Sequence, residues 1–280
     1  RAERTHILEI PRSIFSDSYK YSHDSVYRDD VNATAAYGLP RTKGSIISVF
    51  GMQQIIVDFL SKPLKQEDVD IFANLLNIHF FDNDVFNKNM WDKIVNECNG
   101  YIPVKIRALP EGIRVQGGIT HYTVETDPKY PEFRQLASHV ETTLLHAWYP
   151  STIATNSYQM YQTIKGFQAV SSDVIDPSFQ VIDFGFRGVP TNENAGVGGL
   201  ARDWCAGHAF SARAHRHEWV GGQAVVHSAA SVVVLGTFRK ISGNCTFTAG
   251  GIPRVVQFWI RCTPPCSEKP SFRASFAGPP

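Results

Sequence analysis

The stretch Val181-Ile-Asp-Phe-Gly-Phe-Arg-Gly-Val189 constrains the chain most: an apolar run that ends abruptly in a glycine-flanked aromatic and an arginine. Phe179, Val181 and Asp183 alternate with Ile182 and Phe184, the pattern of a strand buried on both faces. Gly185 and Gly188 free the backbone to turn sharply, and Thr191 stands where an N-cap would open a helix over Asn192 to Leu200. A strand that passes through a glycine loop into a helix N-terminus sets backbone N–H groups where they can meet an anion. Arg187 adds a planar cation able to grip phosphate at two points, and Phe184 and Phe186 offer flat faces to an aromatic ring. Together these residues read as a nucleotide-forming site. They fit equally a core strand whose arginine pairs with an internal carboxylate.

The bulk numbers exclude more than they select. At 280 residues the chain can make one large domain or two ordinary ones. A formal net charge of +1 gives no reason to expect nucleic acid or an anionic membrane as partner. No apolar run approaches the roughly 18–20 residues that a spanning helix needs, and Val232-Val-Val-Leu235 is far too short. The sequence starts at Arg1 rather than Met, without a cleavable signal pattern, which reads as a cytosolic protein lacking its extreme N-terminus.

Composition breaks near Ala201. Residues 1–201 carry 23 acidic and 18 Lys+Arg side chains, whereas residues 202–280 carry 3 and 9. Four of the five cysteines (Cys205, Cys245, Cys262 and Cys266) fall in the second part, which is rich in Gly, Ser, Pro and Arg and shows no helical period. The two parts do not read like one protein.

Before the break the periodicities are clear. Met52, Ile55, Ile56, Phe59 and Leu60 form a helical stripe that Pro63 ends. Further helices are expected over about 67–80, 87–98, 133–146 and 151–165, with Trp148-Tyr-Pro150 separating the last two. Strands are expected over 34–38 and 45–50, joined by a turn holding Arg41 and Lys43, and as a meander over 104–108, 113–115 and 120–124. Ser16 to His23 is polar and aromatic, a loop or short helix start with Asp17 or Ser18 as cap. There is no Walker-type loop, H-E-x-x-H or G-x-S-x-G. Cys205, His208, His215 and His217 match no zinc-finger spacing, so no metal site is assigned.

Asp17-Ser-Tyr-Lys20, Arg41, Trp148-Tyr-Pro150, Ala154-Thr-Asn-Ser157 and Asp183-Phe-Gly-Phe-Arg-Gly188 occur in one order. Phe50-Gly-Met-Gln53, Phe86-Asn-Lys88 and Ala108-Leu-Pro-Glu-Gly112 accompany them. Over about residues 12–201 the chain closely resembles the nicotinamide phosphoribosyltransferase family. The resemblance implies transfer of phosphoribosyl from phosphoribosyl pyrophosphate to nicotinamide, giving nicotinamide mononucleotide and pyrophosphate in NAD salvage. It also implies Mg2+ accompanying the phosphoribosyl pyrophosphate, and a homodimer with shared active sites. Residue by residue, Phe184 looks like the aromatic beneath the nicotinamide ring and Tyr19 like the tyrosine that the neighbouring subunit lays on its other face. Arg187 resembles the arginine that holds the diphosphate, and Arg41 the one that reaches the phosphate from the partner; Asp17 belongs to the same substrate-binding motif.

The resemblance stops after Ala201. The family's Asp and His motifs and its Gly-rich phosphate loop are not found in residues 202–280, so no catalytic residue and no ATP-coupling role is carried over. A strand–helix unit takes about 30 residues and a closed barrel about 250, so the roughly 100 residues after Phe179 hold about three units. The expected class is α/β: an α+β domain over 1–175, then the first strand and helix of a truncated phosphoribosyltransferase-like barrel over 176–201, then a divergent, irregular tail over 202–280. That reading leaves three outcomes open: a catalytically incomplete transferase, a non-catalytic dimerisation partner, or an enzyme of the related nicotinate family.

Overall fold

The computed structural model describes residues 10–82, 84–171, 175, 177, 180 and 183–205, together with the strands 224–227, 232–235, 256–260 and 272–276. Its helices follow the apolar stripes. After the short α1 (Ser18–Ser22), the stripe from Met52 to Leu60 folds as α2 (Met52–Ile55) continued by a π-helical turn over Ile56–Leu60. In α3 (Gln66–Phe80) the Asp68 carboxylate accepts the Lys65 N–H at 2.8 Å, and Val69, Phe72, Ala73 and Leu76 face inward. In α4 (Lys88–Glu97) the Asn87 side chain caps the first turn, accepting from the Met90 N–H at 3.1 Å. Trp91, Met90 and Ile94 of α4 are buried in the main core with Phe133, Leu136 and Leu144.

The principal sheet is antiparallel throughout, in the order β1 (Ala35–Gly38), β5 (Tyr122–Glu125), β3 (Lys105–Ala108), β8 (Val256–Ile260), β9 (Phe272–Phe276). Ile106 stands opposite Val124 across β3 and β5, and both are fully buried. Helix α5 (Leu136–Leu144) packs on β1 and β5. Two antiparallel pairs complete the described strands: β2 (Ile46–Ser48) with β4 (Arg114–Gln116), and β6 (Ala224–His227) with β7 (Val232–Leu235). The α/β class expected from the sequence holds. Among the described residues, no helix is long and apolar enough to cross a membrane.

Three local expectations change. The meander over 104–124 is broken, because β4 leaves the sheet to pair with β2 while β3 and β5 pair directly. Trp148-Tyr-Pro150 does not separate two helices by a gap: it opens α6 (Trp148–Gln168), after a 3-10 turn over Leu145–Ala147. Pro150 sits in the first helical turn, where the N–H it lacks would have had no helical partner. The strand expected through Phe184 is absent at Asp183 and Phe184; Val181 and Ile182 lie outside the described residues. There the Gly185 N–H donates to the Asp183 carboxylate at 2.7 Å, a local turn that competes with extended backbone, and Gly185–Gly188 continues as a 3-10 turn. In the tail, strands β6 to β9 occupy part of what the sequence left irregular.

Candidate functional site

The turn Gly185–Gly188 leads into α7 (Asn192–Cys205), whose start is the one the sequence indicates. The Thr191 hydroxyl accepts the Asn194 N–H at 3.2 Å, and the Thr191 carbonyl accepts from Ala195 at 3.2 Å. Glu193 adds a carboxylate to this first turn; hydrogen bonds from its own N–H and the Thr191 hydroxyl hold it below the usual carboxylate range. On the turn, Phe184 is 62% exposed, Phe186 is 43% exposed and Arg187 is exposed. The turn thus presents two rings and a guanidinium to the surface within four residues. The alternative, an arginine sealed in a core strand, does not hold for this turn.

Small residues set how closely α7 lies on α6. Ala154 of α6 and Ala201 of α7 are fully buried against each other's helix. A Cβ at Gly198 would stand 2.8 Å from the Tyr149 phenol oxygen, so a larger residue there would push the hydroxyl end of that side chain aside. Burial raises the Tyr149 pKa, and the negative charge of Asp183 raises it further. Tyr149 thus lies against α7 at Gly198 and feels the charge of Asp183, the residue that shapes the Phe184 turn.

A second group forms at α1. Asp17 occupies the N-cap position, but its side chain makes no cap bond; it accepts instead from the Thr142 hydroxyl of α5 at 3.0 Å. Tyr19 is 53% exposed and lies against His23, with ring centroids 5.0 Å apart. Lys20, next to it, is only 8% exposed and reaches Glu141 at 3.1 Å and Ser138 at 3.0 Å, both on α5. Arg41 belongs to neither group. It projects from the exposed turn between β1 and β2, which the Gly117 and Gly118 N–H groups brace through the carbonyls of Ser45 and Pro40, each at 2.8 Å.

The structure therefore joins Phe184 with Arg187, and Asp17 with Tyr19, and places Arg41 on a third element. Sequence reasoning missed Lys20, Glu141, Thr142 and Tyr149 as neighbours of these groups. Residues 121 positions apart, as Lys20 and Glu141 are, leave no periodic signal. Among the described residues, no three His, Cys, Asp or Glu side chains converge as metal ligands; Cys205, His208, His215 and His217 have no described side chains.

Comparison with known proteins shows what the chain is similar to. The family model for the nicotinamide phosphoribosyltransferase N-terminal domain matches residues 13–106. A nicotinamide phosphoribosyltransferase of Xanthomonas campestris pv. campestris (strain 8004) is 34% identical over 224 residues, covering 75% of this chain and 46% of that protein. The chain thus spans about half the length of this curated relative. A crystal structure of human nicotinic acid phosphoribosyltransferase matches with a TM-score of 0.39 at 24% identity, over 52% of this chain and 28% of that one. The chain is thus nicotinamide phosphoribosyltransferase-like: residues 13–106 match the model of that family's N-terminal domain, and similarity to a nicotinamide phosphoribosyltransferase extends over three quarters of the chain.

Proposed function

We propose that this chain contributes to a cytosolic phosphoribosyl-transfer site that makes nicotinamide mononucleotide from nicotinamide and phosphoribosyl pyrophosphate. The observation that carries this reading is the exposed pairing of Phe184 and Arg187 on one tight turn at the start of α7. Phe184 takes one face of the pyridine ring. Tyr19, reaching from the second protomer of a homodimer, takes the other. Each stacked pair contributes about 0.5–1.5 kcal/mol and aims the ring nitrogen at the ribose carbon.

In the transfer, the ring nitrogen forms a bond to the anomeric carbon while the bond from that carbon to the diphosphate oxygen breaks, and pyrophosphate leaves with the electron pair. Arg187 and the partner's Arg41 stabilise the charge that departs, each charge-assisted hydrogen bond contributing about 1.5–3 kcal/mol. Asp17 lies at the foot of the Tyr19 helix, its carboxylate fixed by Thr142. Magnesium enters as the counter-ion of the diphosphate and is assigned no ligand on this chain. No catalytic acid or base is assigned, and no ATP-coupled step.

The purified 280-residue chain, incubated with phosphoribosyl pyrophosphate and either nicotinamide or nicotinate, tests the reading. Mononucleotide formed with nicotinamide supports it, and product with nicotinate alone moves the chain to the nicotinate family. Absence of turnover together with self-association and no nicotinamide binding leaves a dimerisation partner.

A further inference from the structure

We infer that Lys20 and Glu141 form a positioning pair that sets the ring of Tyr19; the inference rests on the reading of Tyr19 as a stacking platform. Helix α1 has only five residues and no side-chain cap, so it cannot hold its own geometry in isolation. What fixes it comes chiefly from α5: the Ser16 hydroxyl donates to the His139 carbonyl at 3.0 Å, and Thr142 donates to Asp17 at 3.0 Å.

Lys20 is the strongest of these tethers. It is 8% exposed, unusual for a lysine, and its ammonium is satisfied by Glu141 at 3.1 Å and Ser138 at 3.0 Å. The same ammonium lies 5.3 Å from the centroid of the Tyr19 ring, within cation–π range. His23 bounds the ring on another side, and its remaining half stays open. One buried cation thus ties the backbone of α1 to α5 and touches the ring next door. Removing Glu141 strands that cation, which must move toward water and carry the Tyr19 ring with it.

The test uses the full 280-residue chain and compares wild type, Glu141→Gln, Tyr19→Ala and the double variant. Hydrogen exchange at the Lys20 and His23 amides, which donate to the Asp17 and Lys20 carbonyls, is expected to quicken in Glu141→Gln while α3 and α4 keep their protection. Calorimetry with nicotinamide as probe is expected to show weaker binding in Glu141→Gln, by roughly twofold to tenfold and by no more than Tyr19→Ala itself loses. That loss disappears in the Tyr19→Ala background, because the pair acts only through Tyr19. Unchanged exchange in α1, or full additivity of the two substitutions, overturns the inference. Should Glu141→Gln not fold, the joint replacement of Lys20→Met and Glu141→Leu, which leaves no buried charge, carries the same readouts. A wild-type chain that binds no nicotinamide defeats the proposed function instead, and exchange in α1 then decides the pair alone: local quickening sustains it, no change overturns it.

Discussion

The Nε2 atom of His139 lies 3.0 Å from the carbonyl oxygen of Ser13, so α5 is bonded directly to the segment that leads into α1. A carbonyl can only accept, which makes Nε2 the protonated nitrogen of a neutral ring. The ring packs edge-on against Trp91 and Tyr21, with centroids at 5.0 and 5.6 Å. Burial, and more weakly the charge of Lys20, depress its pKa from 6.5 to about 4, while the bond to Ser13 opposes them.

A stability profile follows from that depression. The unfolded chain takes up this proton near pH 6.5, whereas the folded chain resists until about pH 4. Stability from the neutral ring is therefore complete above 6.5 and is lost as pH falls from there through 4, by on the order of 3 kcal/mol. Urea denaturation at pH 7 and pH 4.5 is expected to show this loss in wild type and a flatter profile in His139→Gln. Equal slopes would contradict it.

Gly51 stands at the N-terminus of α2 with φ +96°, and a Cβ there would meet the Pro150 ring at 2.2 Å. Gly51→Ala adds left-handed strain of about 1–2 kcal/mol to overpacking of about 1–3 kcal/mol. A lowered urea midpoint with unchanged slope is the expected outcome. A midpoint equal to wild type would mean that α2 and α6 can part without cost.

Glu111 caps the same helix end from afar. Its carboxylate accepts the Gln53 N–H at 2.8 Å and the Gly51 N–H at 3.2 Å. Glu111→Ala leaves those N–H groups without this acceptor and is expected to cost about 1 kcal/mol, while Glu111→Gln, whose amide oxygen still accepts, costs less. Thermal melts of the two variants check the order.

What the sequence makes legible is what is local. The stripe from Met52 to Leu60 and the Thr191 cap each depend on residues close together in the chain, and each is found in place. The start of α6 is not legible in the sequence because a proline reads as a breaker, yet in a first turn Pro150 costs no hydrogen bond. The Phe184 segment has the alternation of a strand, but a single carboxylate two residues before Gly185 is enough to turn it. Lys20 with Glu141, and β3 with β8, join residues more than a hundred positions apart. No window of sequence contains both partners, so such contacts appear only once the chain has folded.

Among these tests, titration of nicotinamide into the wild-type chain and Phe184→Ala by calorimetry bears most directly on the ring platform. Loss of one stacked face, about 0.5–1.5 kcal/mol, predicts affinity weaker by roughly twofold to tenfold in the variant, with its melting temperature preserved because Phe184 is exposed. Equal affinity in the two proteins would contradict the role given to Phe184.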